Sequence, residues 1–134
     1  MLVAGLAGLG VSAYLTIVHY TSVPLVCSTS GAINCEQVLS SPYGVIAGTT
    51  VPTSAAGIVW FAVTAVLAGS WLAGPGSPAV ARLQLAWSAI GLVTVVGLVF
   101  IEIVVLGAIC IWCTAAHTLV VAIFLLSLQT RISK

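Results

Sequence analysis

Four apolar runs, each close to the length of a membrane-spanning helix, constrain this chain more than anything else in it. They cover residues 2–20, 53–72, 82–102 and 108–129. At 1.5 Å per residue, about 20 helical residues span the ~30 Å hydrocarbon core of a bilayer. Inside that core each backbone polar group must be satisfied without water, and a single segment does so as a helix. Composition closes off the soluble alternative. Of 134 residues, 61% are hydrophobic and 4% are charged, against about 25% charged in a soluble domain. The expectation is one all-α domain over 1–134: an integral membrane four-helix bundle, with a loop over 21–52. The first run has no basic leader and no Ala-x-Ala-like cleavage site behind it, so it reads as a retained helix.

The few charges orient the bundle. Arg82 falls at the connection between the second and third helices, and Arg131 and Lys134 follow the fourth. An even number of crossings separates these places, so the three basic residues share one face. Glu36 and Glu102 fall on the other. Basic residues mark the cytoplasmic side. The expected location is therefore a multi-pass cell (inner) membrane protein, surrounded by membrane lipid, whose loop 21–52 faces outward. No nucleic-acid partner is expected.

All four cysteines then lie on the extracytoplasmic side, Cys27 and Cys35 in the loop, Cys110 and Cys113 at the start of the fourth helix. Disulfides persist there. Four cysteines on that side read as two disulfides, whose pairing the spacing does not fix. In the loop, "NCEQVLSS" reads as a short helix. Asn34 is a suitable N-cap, with Gln37 at the capping-box spacing and Cys35 at the first helical position. Ser41-Pro42-Tyr43-Gly44 supplies turn chemistry behind it, and Pro52 suits the first turn of the second helix. Only about five residues, 103–107, separate the third and fourth helices, which makes them antiparallel neighbours. Ala4, Gly5, Ala7 and Gly8 in the first helix suggest close helix packing.

"CIWC" carries the chemistry. Positions i and i+3 share a helical face, so Cys110 and Cys113 can bond to each other, and Thr114 and His117 continue that face. A polar stripe on a membrane helix faces the bundle interior or a cavity. Cys110, placed in the first turn, would have its thiolate favoured by the helix dipole, as would Cys35. Two such cysteines suit thiol–disulfide exchange. The competing readings are static disulfides in a structural membrane protein, or zinc. Cys-x7-Cys is an unusual half-site for zinc, so no metal is expected. His19 and the tryptophans read as interfacial anchors, with Trp112 also able to wall the cysteine pair.

Oxidation of a dithiol releases two electrons. A thioredoxin-fold oxidant of the DsbA type sits near about −120 mV, so recharging it needs an acceptor of higher potential. In a bilayer the diffusible acceptor is a quinone. It would need an apolar slot between helices with a few polar groups for its carbonyls, and Thr53, Thr114 and His117 are the candidates.

The pattern as a whole resembles the vitamin K epoxide reductase family in its prokaryotic form. The resemblance rests on "GLGVSAYLTIVHY", Cys-x7-Cys followed by "EQVLSSPYG", "VPTSAAGIVW", and "EIVVLGAICIWC". It implies a four-helix bundle around a quinone of menaquinone, ubiquinone or vitamin K type. It also implies that Cys110 and Cys113 are the active-site pair, with Cys113 acting on the ring, and that Cys27 and Cys35 are a shuttle pair. Cys35 would exchange with Cys110, and Cys27 would meet the partner's thiols. Ser41 matches the family's hydroxyl after the second loop cysteine. Where eukaryotic members carry Asn and Tyr, this chain has Thr53 and His117. Many prokaryotic members carry a fused thioredoxin-like domain. Its absence here makes a separate thioredoxin-fold, DsbA-like protein the expected partner, unless the sequence is part of a longer one. The function implied is quinone-dependent thiol oxidation in support of disulfide formation, or reduction of vitamin K or its epoxide.

Overall fold

A computed structural model describes residues 1–74 and 76–132. Its elements are α1 (Leu2–Thr21), α2 (Cys35–Leu39), α3 (Thr53–Leu72), α4 (Pro78–Phe100), a π-helical continuation of α4 over Ile101–Leu106, and α5 (Ile111–Ile132). The chain is all-helical among the described residues. Four stretches are long and apolar enough to cross a membrane: Leu2–Thr21, Thr53–Leu72, Pro78–Leu106 and Ile111–Ile132. They form a ring in which α1 packs on α3 and α5, and α4 packs on α5 and α3. Outside the ring stand exposed Val3, Leu6, Val59, Val66, Ile90, Val93 and Phe100. In water such a surface would be untenable; in lipid it is the matching solvent.

Three boundaries near the connections differ from the sequence expectation, and α5 also runs on to Ile132 rather than 129. α4 starts at Pro78 rather than 82, because the Ser77 hydroxyl accepts the Ala79 N–H at 3.3 Å and proline occupies the first turn. Arg82 therefore lies within α4, not in a connection. α4 also runs past 102 into the π-helical turn, which Gly107 ends with φ of 61°, a left-handed conformation that suits glycine. α5 begins at Ile111 rather than 108, because Ala108–Cys110 is drawn out to pair with the long loop. Pro52 immediately precedes α3. Lys134 lies outside the described residues.

The α1–α3 contact is the most extensive in the bundle. Gly5 and Gly8 are buried in α1. The Phe61 ring, 2% exposed, sits where a Cβ on Gly8 would be. Across the same seam Thr16 and Ser54 share a hydroxyl hydrogen bond of 2.8 Å. Ala7 faces outward and takes no part. Phe61 then leads the deep core of Val95, Val120 and Ile123. Gly8→Ala is expected to destabilise the fold by about 1–3 kcal/mol, the usual effect of overpacking, read as a lower thermal midpoint in detergent. Gly10→Ala, which meets open space, is the control.

Candidate active site

The site is assembled by backbone pairing between the loop and the entrance to α5. Ile109 N–H donates to Ala32 C=O at 2.8 Å, and Asn34 N–H donates to Ile109 C=O at 3.0 Å. Asn34 caps α2 as expected, its side chain accepting the Gln37 N–H at 3.0 Å. The reciprocal half of a capping box is absent: the Gln37 amide reaches Leu106 C=O instead, at 3.1 Å, tying α2 to the π-helical turn. Cys35 thus stands at the first position of α2, against the residue that precedes α5.

One buried cluster results. Cys35 and Cys110 are fully buried in it beside Val38 and Ala108, with Cys27, Trp112 and Cys113 packed around them. Cys27 and Cys35 form a disulfide with a Cα–Cα distance of 6.3 Å, while Cys110 and Cys113 are thiols. One disulfide is therefore present, not two. Trp112 holds the loop rather than the cavity: its Nε1–H donates to Val26 C=O at 2.9 Å. Tyr14 Oη accepts the Val26 N–H at 3.3 Å, and the Tyr14 ring lies 4.8 Å from that of Trp112. Both aromatic residues thus fix the backbone next to Cys27.

Cys110 stands at the threshold of α5, not inside its first turn. Its C=O accepts the Thr114 N–H at 2.8 Å, and its Sγ accepts the Cys113 N–H at 3.3 Å. This is the N-cap arrangement, with sulfur in place of the usual oxygen. Hydrogen bonding from the Cys113 thiol, helped by the backbone N–H groups of Cys113 and Trp112, pulls the Cys110 thiol below its ordinary range. Burial and the Glu102 charge oppose this and do not overcome it.

Beneath the cluster lies a cavity of about 280 Å³ between the helices, near the lower end of the roughly 300–1,000 Å³ typical of small-molecule sites. Its walls are mainly apolar, with Phe61, Trp60, Val95 and Leu98 among them. Cys113, His117, Thr53 and Ser41 line it. The Thr53 hydroxyl donates to Tyr43 C=O at 3.1 Å and that of Ser41 to Val38 C=O at 2.7 Å. Thr114 stands apart. It is exposed, and its hydroxyl bonds back to Cys110 C=O at 2.9 Å within its own helix. His19, read as an interfacial residue, lines the cavity from the end of α1.

Glu102 is the residue that sequence reasoning did not place in the site. It is 6% exposed and lines the cavity. Its Oε2 accepts the Cys110 N–H at 3.3 Å, and its Oε1 lies 3.9 Å from His117 Nδ1. The signal was available, because an acid inside an apolar helix marks a functional position by default. Among the described residues no cluster suited to a metal occurs.

The lowered Cys110 thiol yields an expected pH profile. Thiolate forms as pH rises, so a lowered pKa moves iodoacetamide labelling of Cys110 to a midpoint below the ~8.5 of a free cysteine. Cys113→Ala removes the main cause and moves that midpoint up. Mass spectrometry of the Cys110 peptide across pH measures both.

The family model described as vitamin K epoxide reductase matches residues 1–128 of the chain. No curated protein matches it. The family is one of oxidoreductases that use quinones, in keeping with a disulfide, a dithiol and an apolar cavity stacked within one membrane bundle. On this match the chain belongs to the vitamin K epoxide reductase family.

Proposed function

We propose that this protein is a quinone-reducing thiol:disulfide oxidoreductase that supports disulfide bond formation. Electrons pass from a separate thioredoxin-fold protein to Cys27–Cys35, then to Cys110–Cys113, and then to a membrane quinone in the cavity. The observation that carries the reading is the shared cluster of the four cysteines, with Cys113 also lining the cavity. The loop pair can meet a partner from water, and the helix pair can meet a reactant from lipid.

Each transfer balances. A partner dithiol reduces the Cys27–Cys35 disulfide and becomes a disulfide itself. Cys35 thiolate exchanges with an oxidised Cys110–Cys113 pair, which leaves the loop oxidised and the helix pair reduced. That is the arrangement of bonds described above. The reduced pair then gives two electrons and two protons to the quinone and forms its own disulfide. A lowered Cys110 thiol favours exchange, since low-pKa thiols leave readily. His117 and Thr53 are the proposed contacts for the ring carbonyls. Arg82 near the start of α4 and Arg131 at the end of α5 lie at the opposite end of the bundle from the cysteines, which supports an extracytoplasmic placement of the redox site.

With purified protein, a reduced thioredoxin-fold partner and a quinone, quinol formation should be visible by absorbance. Cys113→Ala should bring it to background, and normal turnover by that variant would sink the assignment. In a Cys35→Ala variant Cys27 is a free thiol, which should attack the disulfide of an oxidised thioredoxin-fold partner and hold that partner as a mixed disulfide, its second cysteine leaving as the thiol. A purely structural role for the cysteines predicts no such adduct. The family description also names an epoxide reaction. Turnover of vitamin K epoxide with a dithiol reductant, faster than quinone reduction, would favour that role.

A further inference from the structure

We propose that Glu102 and His117 act as one carboxylate–imidazole pair that takes the proton from the Cys110 thiol and delivers it to the quinone. This rests on the quinone reading above. His117 is the donor to the ring oxygen, and Glu102 is the positioning residue that holds it.

Three observations converge. Glu102 is the single acid within the four membrane-crossing stretches, and it is almost wholly buried. An isolated ionised carboxylate in an apolar interior is strongly unfavourable unless paired or protonated. Arg82 lies 20 residues earlier on the same helix, which at 1.5 Å per residue is about 30 Å away. Arg131 lies in the last turn of α5, at that same far end. His117 is therefore the base placed to balance Glu102, 3.9 Å away. Finally, the other carboxylate oxygen is engaged by the Cys110 N–H, so the carboxylate bridges the thiol's residue and the imidazole.

The remaining titratable side chains facing the cavity are His19 from α1, Tyr43 from the loop behind α2, and Cys113 from α5. From α3 come the hydroxyls of Thr53 and Ser54 and the Trp60 indole N–H, and from α4 the hydroxyl of Thr94, none of them titratable in the working range. None of these touches Glu102 in a hydrogen bond or ion pair. A thiolate on Cys110 and a carboxylate on Glu102 repel each other in a low dielectric. A proton leaving Cys110 is thus best kept within the group, shared by Glu102 and His117. With Nδ1 turned to Glu102, Nε2 is the nitrogen left for the substrate.

The step balances as follows. The S–H bonds of Cys110 and Cys113 break, and one Sγ–Sγ bond forms between them. The electron pair passes to the quinone. One ring oxygen takes the Cys110 proton through His117, and the other takes the Cys113 proton.

The test is a single turnover of pre-reduced protein in detergent with menadione, followed across pH. The wild-type rate should fall as pH rises and the donor loses its proton. Glu102→Gln keeps an oxygen for the Cys110 N–H. It should lower the single-turnover rate about a hundredfold, the scale of general acid catalysis, with the KM of the steady-state assay little changed and the pH dependence lost. His117→Gln should lose as much, and the double variant no more, since groups acting as a unit are not additive. A purely structural role for Glu102 would instead lower the melting midpoint and raise KM while leaving the pH profile intact, and that result overturns the proposal. So does a Glu102→Gln rate equal to wild type, although the quinone reading then stands. Failure of the wild-type dithiol to reduce menadione overturns both. Should Glu102→Gln not fold, His117→Gln decides: a lost rate with retained KM supports the pair, and a wild-type rate refutes it.

Discussion

Two backbone hydrogen bonds between the loop and Ile109 are what the rest of the site depends on. Without them, Cys27 and Cys35 would belong to a surface loop and Cys110 to a helix end, joined only through side-chain contacts. The pairing draws Ala108–Cys110 out of helical conformation, which sets where α5 begins and turns Cys110 into its cap. The neighbouring backbone groups are secured in turn: Val26 is gripped at both its N–H and C=O by Tyr14 and Trp112, and α2 is tied to the π-helical turn through Gln37. Long loops are usually loosely held; this one is stitched to the bundle on two sides, and its disulfide inherits that order.

The fold was legible because the bilayer leaves few options. Residues such as Leu72 and Val93 need no specific partner to be placed; being apolar in a run of 20 is enough. The start of α4 was legible too, in Ser77-Pro78, but the Gly/Pro character of the preceding turn masked it. The π-helical turn was not legible. Its extra residue per turn comes from where Gly107 allows the chain to break away, and no periodicity in "IEIVVL" announces that.

The site was legible in part, and the boundary falls between local and nonlocal information. The Cys-x-x-Cys spacing carries its own geometry, so Cys110 and Cys113 could be placed together. Thr114 shares their helical spacing, yet its hydroxyl is satisfied inside its own helix and it faces outward. Spacing defines an arc, and a single residue's side of that arc depends on neighbouring helices. Glu102 was read only as a charge that orients the bundle. Its place in the candidate site depends on meeting Cys110 and His117 across a chain reversal, which the residue's own surroundings in sequence do not encode.

The sulfur cap on α5 ties the start of that helix to the chemical state of Cys110. The atom that accepts the Cys113 N–H is the one that oxidation would bind to Cys113 itself. A neutral disulfide sulfur accepts a hydrogen bond more weakly than a thiolate, so oxidation of the pair would weaken the cap on the first turn of α5. Under the proposed function, helix order at this end would report the redox state of the pair. One sulfur would then both hold reducing equivalents and fasten the helix beside the cavity, so the two would change together.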